Sequence, residues 1–396
     1  MPAAPETVSK NNAWSLRVNA REVSGAFGDL GSDLPLLTGV ALASGMDAGR
    51  IFLLFGLMQI ASALLYGIPM PVQPLKAMAA LIIVQGIQEP VIAGGALAIA
   101  AIMLLLTLTR AIDSLARLMP KPVIRGIQLG LGVNLALLAL GKYVPAVGGS
   151  GILLAACCFV IVIALRKQRL VPASLVVLGA GMMYAFIQRV DIGAFQSFSL
   201  AFPTPSVPLP RNIWLGFALL ALPQAPLSIG NAMFATKQLA DDWFPASGVS
   251  LRRLGVSYSI FNLGAALFGA VPICHGSGGM AGHYAFGART GGSVLIYGAF
   301  YVILGMMSAF GFTQIGALFP LPMLGVILFF EATTLMKRIQ DVATVRASLL
   351  TALLVAFCAI ALPYGFLMGM AVGCILSAAQ RNLSLFLKPQ MEAGKQ

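Results

Sequence analysis

Long apolar runs constrain this chain more than any other feature of its sequence. Of its 396 residues, 59% are hydrophobic and only 10% are charged, whereas a soluble domain carries roughly 25% charged residues. Many of the runs are about 17–25 residues long, the length that a helix needs to cross a bilayer. The sequence therefore predicts an all-α polytopic membrane protein with one membrane domain, and no segment indicates a cleaved signal peptide.

We predict fourteen spans, each bounded by charged residues or by clusters of proline and glycine. Two of them are short, and both follow a proline-broken, extended piece. An interfacial helix is predicted at 110–121. In chain order, the predicted spans are 23–45, 50–68, 74–88, 90–109, 123–141, 150–165, 171–188, 213–236, 254–271, 276–289, 292–311, 315–334, 346–362 and 364–380.

The Pro-rich stretch between spans 7 and 8 cannot form a regular helix, and it divides the chain into two halves. Seven spans in each half make the second half start on the opposite side of the membrane, as in an inverted repeat. The predicted organisation is a cytoplasmic tail at 1–22, a first repeat at 23–190, a connector at 191–212, a second repeat at 213–381 and a cytoplasmic tail at 382–396.

The basic residues indicate the orientation. The formal charge is +12, but the lysines and arginines lie in short loops between apolar runs, which is the positive-inside pattern and not a nucleic-acid surface. With a cytoplasmic N-terminus and fourteen crossings, only Arg50, Lys142, Arg189 and Arg211 lie outside. Lys76 alone is left within the membrane. Both termini are therefore predicted to be cytoplasmic.

Two polar, glycine- or proline-rich stretches interrupt the apolar runs, Pro69–Ala80 and Ala270–Gly291. Non-helical backbone at membrane depth is tolerated only where it is buried in protein or lines a wet cavity. The short helix after each break has free N–H groups and a positive dipole end, which attract an anion. If the fold brings these two N-termini together, they form an anion site with little formal charge.

Several polar residues within spans are candidates for function. A buried Lys76 is costly unless it faces an anion or a carboxylate such as Asp29 or Asp33. These two aspartates share a helix face and are also candidates for a proton relay, unless they lie in water at the cytoplasmic end. Glu331 is expected to be a solvated, interfacial carboxylate.

The neutral residues Gln224, Ser228 and Asn231 lie on one side of span 8. They suit an oxyanion as hydrogen-bond donors, and they equally suit packing between helices. His275 and His283 lack further nearby ligands and do not indicate a metal site. Arg125 and Arg289 are interpreted as topology charges, with lining of a cytoplasmic exit left open for Arg289.

The sequence does not indicate an enzyme or an ATP-driven pump. The Gly276–Gly282 stretch lacks the Gly-Lys-Ser/Thr ending of a phosphate loop, and no nucleophile–base set is evident. The five cysteines lie in apolar or membrane-depth stretches without metal-site spacing, so they are interpreted as small buried hydrophobes. No cofactor is predicted.

Three stretches resemble the molybdate transporter family, distant relatives of the SulP sulfate permeases: Ser24–Leu36, Pro69–Ala79 and Val271–Gly291. The resemblance extends over essentially the whole chain. It implies a seven-plus-seven inverted-repeat fold, with a core of spans 1–4 and 8–11 moving against a gate of spans 5–7 and 12–14. Sulfate permeases usually carry a C-terminal STAS domain, which is not expected here because the sequence stops soon after span 14.

The resemblance also implies a substrate site between short spans 3 and 10, beside spans 1 and 8. The residues expected there are Gln73, Lys76, Gln224, His275, Ser277, Gly278 and Gly279.

We therefore predict a secondary active transporter in the inner or plasma membrane that imports a tetrahedral oxyanion. Molybdate is the first candidate, and sulfate and tungstate are the others. Proton coupling through Asp29 or Asp33 is the working hypothesis, because a dianion entering a negative-inside cell moves against the voltage. A nucleobase or bicarbonate carrier and a passive anion channel are the alternatives. A homodimer is left open.

Overall fold

The computed structural model describes residues 16–111, 120–165, 173–189, 204–309, 319–362 and 364–393. Most of the predicted interfacial helix at 110–121 and much of the connector at 191–212 lie outside these ranges. In chain order, the helices are α1 (Ala20–Ala26), α2 (Leu30–Ser44), α3 (Ala48–Tyr66), α4 (Lys76–Gln85), α5 (Glu89–Leu108), α6 (Lys121–Leu138), α7 (Gly148–Leu165), α8 (Ala173–Ile187), α9 (Pro210–Trp243), α10 (Leu251–Phe268), α11 (Ser277–Ala285), α12 (Gly292–Ala309), α13 (Leu321–Lys337), α14 (Arg346–Ala361) and α15 (Gly365–Ala393).

Each interval that was predicted to span the membrane overlaps at least one of these helices. Within the described ranges, the runs Ala48–Tyr66, Glu89–Leu108, Lys121–Leu165 and Pro210–Trp243 are long and apolar enough to cross a bilayer. Other apolar helices are shorter, among them α2, α4 and α14. The chain is a multi-pass membrane protein that is mostly helical.

Helix α9 is longer than its predicted span and does not end near 236. It contains two π-helical stretches, Phe217–Ala221 and Ser228–Ala235, and Pro223 and Pro226 lie between them. Prolines lack the N–H of the regular ladder, and wide turns are one way for a helix to continue around them. Its last turns lie beyond the predicted span. They stay helical with support from an ion pair between Lys237 and Asp241 at i,i+4.

The first span is broken into α1 and α2, although the sequence predicted one continuous run. The turn between the two helices lies against the backbone of α11: a Cβ atom on Gly28 would lie only 2.4 Å from the carbonyl oxygen of Gly282. Only glycine permits such a close approach of two backbones. The break therefore places Asp29, the N-cap residue of α2, beside α11.

Glu22 on α1 is buried and joins the start of the chain to its second half. Its Oε1 atom accepts hydrogen bonds from the backbone N–H groups of Arg289 (2.9 Å) and Thr290 (3.0 Å). Its Oε2 atom accepts one from the N–H of Ser293 at 3.1 Å, in the first turn of α12. A carboxylate at a helix N-terminus is favoured both by the free N–H groups and by the helix dipole.

The two extended pieces pair with each other as a small sheet, which the all-α prediction did not include. Strand β1 (Val72–Pro74) runs antiparallel to β2 (Ile273–His275), with Gln73 opposite Cys274. Helix α4 begins directly after β1, and α11 begins directly after β2. The prediction that each proline-broken piece leads into a short helix is confirmed.

Two buried amide side chains hold the outer edges of this sheet. Gln59 on α3 donates from Nε2 to the carbonyl of Val72 (2.7 Å) and accepts the Val72 N–H at Oε1 (2.9 Å). Asn262 on α10 makes the same pair of bonds with Ile273, at 2.7 Å and 3.0 Å. Each amide thus replaces a missing neighbouring strand and pairs the outward-facing N–H and C=O groups of Val72 and Ile273.

The helices that carry these amides pack against partners from the other half of the chain. Helix α3 packs along α12, and α10 packs along α5. On the far side of the cavity described below, α6 packs against α13 and α14. The sheet therefore lies within a layer of helices drawn from both halves.

We predict that Gln59→Leu destabilises the folded protein strongly. The substitution leaves one buried N–H and one buried C=O of Val72 unpaired, each costing roughly 1–3 kcal/mol. Gln88→Leu is the matched control, because Gln88 is exposed and its amide donates to the Gly86 carbonyl. Thermal unfolding of the purified variants in detergent measures the difference. Equal midpoints for the two variants would contradict the assigned role of Gln59.

Candidate functional site

The antiparallel pairing of β1 and β2 sets the position of the two short helices. Because α4 and α11 leave the sheet at opposite ends, their N-termini face each other across a ladder of three residue pairs. The first N–H groups of a helix have no partner within it and carry a partial positive charge. The sheet thus presents two such N-termini to one region of the protein.

A cavity of about 340 Å³ lies at this region. It is lined by the sheet, by the N-termini of α4 and α11, by α9, and by α6 and α13 on its far wall. The polar and charged side chains that line it are Gln73, Lys76, Lys121, Arg125, Gln128, Gln224, Ser228, Asn231, Ser277, Glu331, Thr334 and Arg338.

Positive charge predominates in this cavity. Lys76 begins α4, Lys121 and Arg125 lie on α6, and Arg338 directly follows α13. Glu331 is the one carboxylate among the lining residues. Arg125 also pairs with Asp341, next to the cavity. Together with two helix N-termini, these cations make an environment suited to a small anion.

Lys76 is paired with a residue that sequence reasoning had placed in solvent. Its Nζ atom lies 2.5 Å from Oε1 of Glu331 on α13, and the Glu331 side chain is only 11% exposed. The Oε2 atom of the same carboxylate accepts a hydrogen bond from Oγ of Ser32 at 3.1 Å. The expectation of a solvated Glu331 is therefore wrong, and the direct partner of Lys76 is neither Asp29 nor Asp33.

The N-terminus of α4 is capped by a side chain from α9. Gln224 accepts at Oε1 the N–H groups of Ala77 (3.0 Å) and Met78 (3.2 Å). Its Nε2 atom donates to Ser228 at 3.1 Å, and Ser228 contacts the hydroxyl of Tyr258 at 2.8 Å. In this conformation Gln224 presents an acceptor to the helix, where the sequence had suggested a donor to an oxyanion.

The N-terminus of α11 is more open to the cavity. Gly278 is exposed there, and Ser277 donates its hydroxyl hydrogen to Oδ1 of Asn231 at 2.6 Å. An anion near Gly278 can accept backbone N–H groups from the first turn of α11. Ser277 can serve as a further donor by turning its hydroxyl away from Asn231.

Gln73 connects the cavity to Asp29. Its Nε2 atom donates to Oδ2 of Asp29 at 2.5 Å, and both side chains are buried. Its Oε1 atom occupies the space that a side chain would need at Gly276, where a Cβ atom would lie 1.5 Å away. The glycine before α11 is thus required for Gln73 to reach Asp29.

Four of the predicted site residues do not line the cavity. The ring of His275 points away from it, with Nε2 2.7 Å from the Ser257 hydroxyl and the ring edge against Tyr66. Gly279 instead packs against Asp29 and Pro71. The others are Asp29 and Asp33.

Asp33 is fully buried and accepts a hydrogen bond from the Tyr297 hydroxyl at 3.1 Å. The guanidinium of Arg289 lies over the ring of Tyr284, 3.7 Å from its centroid, and is likewise not among the lining residues. Asp29 and Asp33 are both buried, so neither carboxylate lies in water.

The structure brings together five predicted residues: Gln73, Lys76, Gln224, Ser277 and Gly278. Sequence reasoning missed the part of the far wall that α13 and the start of α6 provide. A charged residue late in an apolar span, as Glu331 is, was the available signal. Its pairing with Lys76 depends on packing between distant helices. Within the described ranges, no group of three or more His, Cys, Asp or Glu side chains is placed to hold a metal ion.

The family model and the relatives that match this chain share one description. The family model described as "Molybdate transporter of MFS superfamily" matches residues 21–135 and 216–335. Molybdate transporter 2 of Arabidopsis thaliana is 32% identical over 371 residues, covering 81% of this chain and 79% of its own length. Molybdate transporter 1 of the same plant is 29% identical over 373 residues, covering 83% and 81%.

Solved structures match the fold at lower identity. The transmembrane domain of a cyanobacterial bicarbonate transporter, BicA, has a TM-score of 0.64 at 18% identity and covers 89% of this chain and 96% of its own. Murine Slc26a9, an anion transporter in its inward-facing state, has a TM-score of 0.69 at 14% identity, covering 92% and 68%. The family match extends over both halves of the chain and includes both short helices. The chain therefore belongs to the molybdate transporter family, and it is a membrane transporter, not an enzyme.

Proposed function

We propose that this protein is a secondary active transporter that imports a tetrahedral oxyanion, with molybdate as the first candidate and tungstate and sulfate as the others. The observation that carries this proposal is the cavity in which two helix N-termini and Lys76 converge. An oxyanion offers several acceptor oxygens, which match the N–H groups near Gly278, the Ser277 hydroxyl and the Lys76 ammonium. The relatives named molybdate transporters support this choice of substrate.

The proposed architecture is seven plus seven spans in inverted repeats. Its support is that features of the two halves correspond in pairs. Gln59 on α3 and Asn262 on α10 make equivalent bonds to β1 and β2. In the proposed repeats, α3 corresponds to α10 and α5 corresponds to α12. The packing of α3 against α12 is therefore equivalent to the packing of α10 against α5.

We propose further that α1–α5 and α9–α12 form a core and that α6–α8 and α13–α15 form a gate. The substrate cavity lies between them, because its inner wall comes from the sheet, α4, α9 and α11 and its far wall from α6 and α13. Relative movement of these two parts would expose the site to each side of the membrane in turn. The inner membrane, cytoplasmic termini and a homodimer belong to the same proposal, and the basic cavity wall of Lys121, Arg125 and Arg338 supports a cytoplasmic opening.

We expect purified protein to bind molybdate, and Ser277→Ala to weaken this binding by roughly 10- to 100-fold. A hydrogen bond to a charged partner is worth roughly 1.5–3 kcal/mol. Lys76→Met should weaken binding further, because it removes the cation and leaves Glu331 to repel the ion. Ser150→Ala is the matched control, since the Ser150 hydroxyl contacts Tyr184 between α7 and α8. Isothermal titration calorimetry with molybdate, tungstate, sulfate, bicarbonate and a nucleobase measures these affinities.

The choice among anions follows from the same titrations. Preference for sulfate would move the protein toward general sulfate permeases, and preference for bicarbonate or a nucleobase would replace the oxyanion by another substrate of the same architecture. Absence of binding to a folded preparation would remove the substrate assignment. Unitary currents without uphill accumulation in proteoliposomes would identify a passive channel.

Proton coupling is the proposed source of energy. Moving a dianion into a negative-inside cell costs roughly 2.3 kcal/mol per charge for each 100 mV. Asp29 and Asp33 are the proposed proton carriers, because both are buried carboxylates beside the site. Asp29 is linked to the cavity through Gln73, and Asp33 lies on the same helix face one turn later.

We therefore expect loss of the proton-carrying aspartate, in Asp29→Asn or in Asp33→Asn, to abolish uphill accumulation of the oxyanion and its dependence on an inward proton gradient. The two variants are tested in parallel. Asp47→Asn serves as control, because Asp47 lies at the start of α3 and its side chain caps the N–H of Arg50. Uptake of radiolabelled oxyanion into proteoliposomes, with and without the gradient, provides the measurement. Unchanged accumulation and pH dependence in both test variants would refute the assignment.

A further inference from the structure

The ion pair between Lys76 and Glu331 has two properties that the proposed transport cycle does not by itself require. It joins α4 of the proposed core to α13 of the proposed gate, and it does so inside the substrate cavity. Ser32 on α2 adds a second contact from the core to the same carboxylate. Glu331 is thus held from the core side through both of its oxygen atoms.

A carboxylate in this place resembles the substrate chemically. Its oxygens accept a hydrogen bond from an ammonium and one from a hydroxyl, as the oxygens of an oxyanion would. If the Glu331 carboxylate and the oxyanion both contacted the Lys76 ammonium, two negative charges would lie close together in a largely buried site. An oxyanion that contacts Lys76 must therefore displace Glu331.

We propose that Glu331 is a built-in competitor for Lys76, which the oxyanion displaces when it binds. This inference rests on the proposed function and deepens it. In the empty protein Glu331 neutralises Lys76, and in the loaded protein the substrate does so. Since Glu331 lies on α13 and Lys76 on α4, the displacement also breaks the direct ionic link between gate and core. Glu331 is a positioning residue in this scheme.

In the protein without substrate, Glu331 is the counter-ion of Lys76. A lysine without a counter-ion is costly to bury. In a protein lacking Glu331, the core and the gate should therefore pack together less well around Lys76 when no substrate is bound. Net import requires the empty protein to turn its site back to the outside of the membrane. Exchange of internal for external substrate does not require this step, because the protein changes conformation only when loaded. Loss of Glu331 should therefore impair net uptake and spare exchange.

The test variant is Glu331→Gln, which keeps the shape of the side chain and removes its charge. We expect molybdate affinity to rise roughly tenfold, within the 5- to 150-fold range typical of coupled sites. In proteoliposomes, net uptake should fall at least tenfold while molybdate–molybdate exchange stays within about twofold of wild type. Glu89→Gln is the matched control, because the Arg50–Glu89 pair (2.7 Å) joins α3 to α5 and lies within the proposed core.

A second measurement needs no substrate. Cys274 lines the cavity next to Lys76 and is nearly buried, so its reaction rate with a maleimide reports how far core and gate separate. In a background with Cys157, Cys158, Cys358 and Cys374 replaced by alanine, Glu331→Gln should accelerate labelling several-fold and Glu89→Gln should not. The charge exchange Lys76→Glu with Glu331→Lys should restore slow labelling, because it rebuilds the pair in reverse.

The outcomes separate this inference from the substrate assignment. Faster labelling in Glu331→Gln, reversed by the charge exchange, supports the link between core and gate even if molybdate fails to bind wild type. Unchanged labelling in Glu331→Gln overturns the link. Unchanged or weaker molybdate affinity in a folded Glu331→Gln protein, or equal loss of exchange and net uptake, overturns the role of competitor.

Discussion

Backbone N–H and C=O groups cannot remain unpaired at membrane depth, and the architecture of this protein follows from how two broken segments satisfy that requirement. Strands β1 and β2 pair with each other, and Gln59 and Asn262 supply the bonds on their outer edges. This pairing fixes where α4 and α11 begin. The positive helix ends, the cavity between them and the position of Lys76 are all consequences of a sheet only three residue pairs long.

The second determinant is that several groups able to bind an anion already have protein partners in this conformation. Gln224 occupies the N–H groups at the start of α4, Glu331 pairs with Lys76, and Asn231 accepts from Ser277. Each contact uses a group that an oxyanion could also use. Substrate binding is therefore an exchange of partners, and its net free energy is the difference between two sets of contacts. Such exchange allows selective binding without a site so favourable that the ion cannot leave.

The features that were predictable from the sequence are those governed by local chemistry. Apolar length predicted intervals that overlap the described helices, and prolines and glycines marked both extended pieces. The features that were missed depend on long-range packing. The break before α2 follows from contact between Gly28 and Gly282, and the pairing of Lys76 with Glu331 joins helices far apart in sequence. His275 was expected at the ion, but alternation along β2 turns its ring toward Ser257 while Cys274 faces the cavity.

Pairing between β1 and β2 also affects how the protein is made. Strand β1 and helix α4 are synthesised early, whereas β2 and Asn262 come late in the chain. Until then, one edge of β1 has no partner, although Gln59 is already in place on the preceding helix. The nascent first half must therefore keep this segment near water, at the bilayer surface or within the insertion machinery, until translation of the second half supplies its partner strand.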